Sequence, residues 1–295
     1  MLVTILTPTY NRCDKLPVLK KSLENQTNKN FEWMIVDDGS TDETEKWVRR
    51  IQADAEFPIR YIKKINGGKH TALNVGVKEI NSELIMIVDS DDILLPKAVE
   101  LIEKYYEKYK NNKKIGVLSY LKVFSNGAAI VPMEQEEKVA SYVQYRIKGS
   151  RPGDMAEVFL TRVLKEFPFP EFPGERFLSE DVVWIQIGLK YEYVFIDQPI
   201  YQCEYLDGGL TANDKKMKFA SPLGSMMRGK MLMKKECGWK VNVKGAIIWN
   251  CYRQEVTGTI PEMVRMTTIR EKVLVFATKL AGRYYNRRWK ASYQG

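Results

Sequence analysis

Histidine is the scarcest informative residue: His70 is the only one in 295 positions. A multi-histidine metal centre is therefore excluded, and a Ser-His-Asp triad would have to use that one imidazole. Acid–base chemistry falls mainly to carboxylates. Cysteine is also sparse. Cys13, Cys203, Cys237 and Cys251 stand far apart with no C-x-x-C pair, which rules out a zinc ribbon or knuckle and predicts reduced thiols in a cytoplasm. The longest apolar runs are short, such as 273–277, far from the roughly 20 residues of a membrane span. The opening Met-Leu-Val-Thr-Ile-Leu-Thr-Pro lacks a basic leader and a small-residue cleavage site, so it reads as a first strand and not as an export signal. Neither G-x-G-x-x-G nor G-x-x-x-x-G-K-[ST] occurs. A dinucleotide dehydrogenase is disfavoured and the P-loop enzymes are removed.

What remains is an ordinary globular composition, 44% hydrophobic and 28% charged, at a length that suits one large domain or a domain with an appendage. The charge is unevenly placed. Residues 211–295 hold 18 Lys and Arg against 5 Asp and Glu, a net +13, whereas residues 1–210 carry −4. The expected division is a body over 1–210 and a basic, mainly helical extension over 211–295. A basic tail calls for a polyanionic neighbour: phosphate groups, nucleic acid or an anionic membrane surface.

The first half alternates strands and helices. Strands are expected at 2–6, 31–36, 59–62, 84–88 and 115–124. Between them come helices capped by Asp14 and Thr41, one from about Thr71, and one starting at Pro96. This order predicts an α/β fold with a mostly parallel sheet and helices on both faces. Residues 125–155 lack periodicity and read as a long loop. Strands follow near 192–196 and 200–205, and then helices, with Pro261 in a first turn. Such sheets bind ligands beyond the carboxyl ends of their strands. Three polar segments take that position: Thr7–Arg12, Asp37–Ser40 and Asp89–Asp92. The acidic group Asp89-Ser90-Asp91-Asp92 suits Mg²⁺ or Mn²⁺, completed by phosphate and water. A carboxylate at Asp37–Asp38 is placed to accept from ribose hydroxyls or a base N–H.

Four motifs stand in one order: Thr7-Pro-Thr-Tyr-Asn-Arg12, Val36-Asp-Asp-Gly-Ser40, Asn66-Gly-Gly-Lys with Ala72-Leu-Asn-Val-Gly76, and Val88-Asp-Ser-Asp-Asp92. In that order and spacing the chain resembles family 2 glycosyltransferases of the GT-A fold. The likeness is strongest over about the first 125 residues and continues through Pro173-Gly-Glu-Arg-Phe-Leu-Ser-Glu-Asp181. The resemblance implies a Rossmann-like central sheet and a helical C-terminal extension. It implies a nucleotide-sugar site built from Thr7, Pro8, Thr9, Tyr10, Arg12, Asp38, Asn66, Gly68, Lys69, Asn74, Asp89 and Ser90. Asp89 and Asp91 resemble the D-x-D pair, with Asp91 on a Mn²⁺ or Mg²⁺ cofactor. Asp181 resembles the general base beneath the acceptor, a role that a helix N-terminus supports by favouring the ionised carboxylate. Glu175, Arg176 and Glu180 are the acceptor-side candidates, and Tyr205 and Asp207 are further residues for the site. Lys69 is placed to face a diphosphate, while His70 and Trp184 read as structural.

The implied reaction is metal-dependent and inverting. One sugar moves from a nucleotide-sugar, with UDP favoured over dTDP, to a hydroxyl of a glycan or lipid-linked acceptor in cell-surface polysaccharide synthesis. Processive members of the family carry Q-x-x-R-W. Here Arg288-Trp289 is present but Tyr285 replaces the glutamine, which implies one sugar per encounter. The expected setting is cytoplasmic. The basic tail, with Met226, Met227, Met231 and Met233 among lysines and a final Arg283-Tyr-Tyr-Asn-Arg-Arg-Trp289, fits either peripheral attachment to the inner membrane face or core helices with a solvated basic side. Two rivals stay open. A sugar-phosphate nucleotidyltransferase would need a glycine-rich G-x-G-x-R signature, which is missing. A nucleic-acid-binding protein would leave the acidic strand ends without a purpose, so no nucleic-acid partner is expected.

Overall fold

Strands β1 (Val3–Thr9) and β2 (Phe31–Asp37) are almost entirely buried, so their side chains feed an apolar layer on each face of the sheet. The computed structural model describes residues 1–203 and 214–294. The chain divides into two compact units: Met1–Ser141 with Arg151–Pro168 and Lys190–Glu204, and Tyr142–Ser150 with Phe169–Leu189 and Tyr205–Gly295. The expected sites at Tyr205 and Asp207 lie outside the described residues.

In the first unit the remaining elements are α1 (Leu16–Glu24), α2 (Thr44–Ala53), β3 (Ile59–Lys63), α3 (Lys69–Glu79), β4 (Leu84–Ile87), β5 (Ile93–Leu94), α4 (Ala98–Tyr109), β6 (Ile115–Val123), β7 (Glu137–Ala140), β8 (Met155–Leu160), α5 (Thr161–Glu166) and β9 (Glu192–Gln202). They build one sheet in the order β3-β2-β1-β4-β8-β6-β9-β5, with β7 on β9. The β3-β2-β1-β4 half is parallel, as the strand–helix alternation predicts. The other half is mixed, because β8 enters antiparallel between β4 and β6.

Alternate residues explain the layers. Val3, Ile5, Phe31, Trp33 and Ile35 join Leu16, Leu19 and Leu23 of α1, Val48 of α2 and Ala98, Val99 and Ile102 of α4 in one core. Leu6 and Val36 face the other way, onto α3. There Gly76 comes so near that a Cβ would lie 2.4 Å from Leu6 Cδ1, so any larger residue would have to displace the Leu6 side chain from this close helix–sheet contact.

Several boundaries differ from expectation. The span 125–155 is not a plain loop: it holds β7 and a π-helical turn, Val143–Lys148. β7 was illegible because its half-exposed Glu-Lys-Val-Ala has no strong alternation; it is recognised only by its pairing with β9. The two strands expected near 192–205 are one. β9 runs through Pro199 where its pairing with β6 shifts register, the kind of irregularity at which a strand tolerates proline. Neither Asp14 nor Thr41 caps a helix: α1 and α2 have no side-chain cap, and Thr41 N instead donates to Asn11 Oδ1 at 2.8 Å. α3 starts at Lys69, earlier than Thr71, and α4 starts at Ala98, just after Pro96.

The second unit is helical: α6 (Asp181–Lys190), α7 (Asp214–Ala220), α8 (Pro222–Leu232), α9 (Trp239–Arg253), α10 (Ile269–Ala277) and α11 (Lys279–Gln294). α8 and α9 meet at Gly229 and Gly245, where a Cβ on either would lie 2.7 Å from the other's carbonyl oxygen. Pro261 precedes a short 3₁₀ turn and does not open a longer helix. α10 begins instead at a reciprocal capping box between Thr268 and Glu271, which satisfies backbone donors at its start. Met226, Met227, Met231 and Met233 are buried, so these methionines are core and not a lipid-facing set. Trp184 is buried edge-on to Phe169, with ring centres 5.8 Å apart. Among the described residues no helix is long and apolar enough to cross a membrane.

Candidate functional site

Parallel pairing brings the polar strand ends of the first unit to one edge. Thr9 lies opposite Asp37, and Leu6 opposite Ile87, so residues 10–12, 38–40 and 89–92 leave the sheet side by side. This is the carboxyl edge where such sheets bind ligands. Thr7, Pro8 and Thr9, expected beyond β1, are buried within it. Thr7 Oγ1 accepts from Trp33 Nε1 at 3.0 Å, which makes Thr7 a core residue. Thr9 Oγ1, by contrast, is buried at the strand's last position and makes no hydrogen bond among the described residues. Tyr10 is exposed. Asn11, part of the Thr7–Arg12 motif but not among the expected site residues, takes φ of 51° and stitches two segments together: its N–H donates to Ser40 Oγ at 2.8 Å, and its Oδ1 accepts from Thr41 N. A short polar side chain tolerates this left-handed backbone.

Asp38 is buried and fully engaged. Its Oδ1 accepts from Lys64 Nζ at 2.7 Å and Gly67 N at 2.9 Å, and its Oδ2 accepts from Gly68 N at 2.7 Å. Asn66 Nδ2 donates to the Asp38 carbonyl at 2.8 Å. The carboxylate thus holds the Asn66–Gly68 loop in place. Gly68 has φ of 96° directly before α3, a geometry that favours glycine. Asp37 points inward and accepts from Ser40 N at 2.7 Å and Tyr61 Oη at 2.6 Å.

The loop delivers Lys69 to Asp89, with Nζ 2.5 Å from Oδ1 and each side chain about a third exposed. Burial works against ionising Asp89, but Lys69, Lys122 and Arg12 outweigh it and hold its carboxyl below the ordinary value. Lys122, on β6, is kept charged despite burial by Asp89, Asp154, Asp92 and Glu157. Its Nζ sits 4.2 Å from the centre of the Tyr201 ring, a cation–π contact. Tyr201 Oη accepts from Asp89 N at 3.0 Å and donates to Asp92 Oδ2 at 2.7 Å. Burial and the Asp89 charge push Asp92 up to about 7. Lys122 and Tyr201 escape a sequence reading because they lie in unremarkable strands. Ser90 is buried, Asp91 exposed, Asn74 half-buried on α3, and His70 buried as expected of a structural residue.

No group of three or more His, Cys, Asp or Glu among the described residues forms a ready metal cage. The donor set still fits Mg²⁺ or Mn²⁺. Such a cation needs only one or two carboxylates and completes its shell with phosphate and water, and Asp89 and Asp91 present hard oxygens at an edge lined by phosphate-compatible cations.

In the second unit Asp181 is the first residue of α6. Arg228 Nε donates to both of its oxygens, at 3.0 and 2.7 Å. Glu180 is half-buried beside it and Arg176 is exposed. Glu175 does not match its expected acceptor role. Its two oxygens accept from Leu223 N at 2.7 Å and Gly224 N at 2.8 Å, which caps the start of α8. Phe177 N donates to Ser221 Oγ at 3.1 Å, so the segment before α6 is fastened to the start of α8.

Residues 4–159 match the family model described as Glycosyl transferase family 2. An uncharacterized glycosyltransferase of Rickettsia felis is 31% identical over 213 residues, 72% of this chain and 34% of that protein. The chain therefore spans about a third of that relative's length. Among solved structures, Staphylococcus aureus TarS 1-349 in complex with UDP-GlcNAc superposes with a TM-score of 0.62 at 17% identity, covering 97% of this chain and 92% of that one. The mannosyltransferase PcManGT from Pyrobaculum calidifontis, in complex with GDP-Man and Mn²⁺, gives 0.57 at 16% identity, covering 98% and 84%. At these identities the likeness concerns the fold, which is GT-A.

Proposed function

Since the chain belongs to glycosyl transferase family 2, we propose that it moves one sugar from a nucleotide-sugar, with UDP as carrier, to a hydroxyl of a glycan or lipid-linked acceptor in cell-surface polysaccharide synthesis. The observation that carries this reading is the Lys69–Asp89 pair, 2.5 Å apart at the carboxyl edge of the sheet, with Arg12 and Lys122 acting on the same carboxylate. A diphosphate meets cations there and a divalent ion meets carboxylates. The structural neighbours that hold UDP-GlcNAc, or GDP-Man with Mn²⁺, support a donor of this class.

Asp91 and Asp89 would hold Mg²⁺ or Mn²⁺, which supplies charge neutralisation for the departing diphosphate. Lys69 adds a fixed positive charge at the same edge. Thr9 Oγ1, buried with no hydrogen bond among the described residues, is available to the donor. Tyr10 and the Asn66–Gly68 loop flank the nucleoside, while Asp38 acts on it through the loop that it anchors. Asp181 takes the proton of the acceptor hydroxyl as that oxygen attacks the anomeric carbon. One in-line displacement inverts the configuration. The four cysteines are free thiols, which supports the cytoplasmic setting.

Thermal unfolding with UDP and Mn²⁺ tests the reading, with duplex DNA as the contrast. A ligand that binds only the native state raises its stability, so UDP with metal is expected to raise Tm and DNA to leave it unchanged. A shift with DNA alone would overturn the transferase. A hydrolysis screen over a panel of UDP-sugars then identifies the donor.

A further inference from the structure

The basic C-terminal helices present one apolar face that the fold leaves uncovered. Ile269, Val273, Phe276, Leu280 and Tyr284 are 81, 60, 81, 77 and 57% exposed. Their spacing of four, three, four and four residues puts them on a single helical face. That face continues across the junction of α10 and α11, where Thr278 N bonds to Leu274 O and Gly282 N to Thr278 O. The opposite side packs inward: Glu271, Leu274, Thr278 and Asn286 are buried, and the rings of Tyr285 and Trp289 meet at a tilt with centres 5.4 Å apart, with Trp289 against Tyr252. The exposed stripe is therefore surplus to folding.

Its flanks are cationic. Lys272, Lys279, Arg283 and Arg287 are exposed beside or at the end of the stripe. Over residues 269–294 the only acid is Glu271, and it is buried in the capping box. From this combination we infer that the α10–α11 face is a docking surface for an anionic lipid bilayer, lying in the plane of the headgroups with Phe276 and Leu280 in the acyl boundary. Three occupants compete for such a surface, and the chemistry separates them. A second copy of the same face would bring like charges together within a Debye length of about 8 Å. A nucleic acid would satisfy the cations but leave the aliphatic stripe in water. An anionic bilayer offers phosphates beside hydrocarbon, which matches both features. Interfacial helices bind through buried apolar area plus attraction to anionic lipid. The inference stands independently of the transferase reading, because none of these residues belongs to the carboxyl-edge site or to the Asp181 segment.

The test is co-sedimentation of the full chain with vesicles of phosphatidylcholine alone, or of phosphatidylcholine with phosphatidylglycerol. Pelleting is expected with the anionic vesicles at low salt, with release at high salt and little binding to the neutral ones. The double variants Phe276→Ser/Leu280→Ser and Lys279→Glu/Arg283→Glu change exposed side chains, and their melting curves verify folding. Each should lose at least about tenfold in vesicle affinity, since both the apolar and the ionic contributions are required. The inference is overturned if the wild type stays in the supernatant, or if the serine variant binds as well as wild type, leaving charge alone. It is equally overturned if the wild type is a dimer in solution that the serine variant converts to monomer.

Discussion

Arg228 Nε donates to both carboxylate oxygens of Asp181, at 3.0 and 2.7 Å, across 47 residues of sequence. The pair joins the first residue of α6 to the middle of α8 and turns a helix-start carboxylate into an oriented one. Charge-assisted bonds of this kind fix geometry as well as charge.

The first prediction follows from that pair. Asp181→Asn should reduce transfer by about 10²–10⁴-fold, the usual range for removing a general base, while UDP affinity with metal is unchanged. Arg228→Ala should lower kcat in the same direction, again without weakening UDP. Because both side chains are partly exposed, 28% for Arg228 and 17% for Asp181, the stability loss should be modest, about 1 kcal/mol. Turnover assays alongside calorimetric UDP titration decide the matter. Loss of UDP affinity in step with rate would move Asp181 to the donor side.

Asp91 is exposed at the end of the acidic turn. Asp91→Ala is therefore expected to leave the metal-free melting temperature where it is. It should abolish the extra stabilisation that Mn²⁺ adds to UDP binding, and with it transfer. Unchanged turnover would remove Asp91 from the metal.

Tyr201 bridges Asp89 N and Asp92 Oδ2 through one hydroxyl. Tyr201→Phe keeps the ring beneath Lys122 but deletes both bonds, so it should destabilise the first unit by about 1–3 kcal/mol. It should also weaken UDP binding by loosening the Asp89 turn. Denaturant unfolding and UDP titration on the same preparation measure the two effects separately.

Glu175 separates a cap from an acceptor ligand. Glu175→Gln retains one acceptor oxygen for Leu223 N and Gly224 N, where the carboxylate provides two. The expected outcome is a loss of about 0.5–2 kcal/mol in stability with KM for the acceptor unchanged. A raised acceptor KM with normal stability would restore the acceptor role.

Much of this was determined by the sequence alone. Periodicity and strand-end motifs are local properties, so β1, β2 and β4 and the edge at which Tyr10, Asp38 and Asp89 emerge are legible in the sequence. The parallel half of the sheet follows from strand–helix alternation in the same way. Local pattern fails where an element exists only through its partner. β7 has little pattern of its own, and β9 passes through a proline that would ordinarily end a strand.

Only the tertiary structure decided how the side chains are used. Asp38 turned out to be the anchor of a loop, Glu175 a helix cap, and Asp89 the centre of a cluster drawn from the segment after β1 and from α3, β6 and β9. The tail shows the same division. A 3.6-residue repeat reveals that a helix has faces, but not which face the rest of the chain covers. Packing buried Met226 and Met231 and left Phe276 and Leu280 in the open, because burial depends on contacts between residues far apart in sequence.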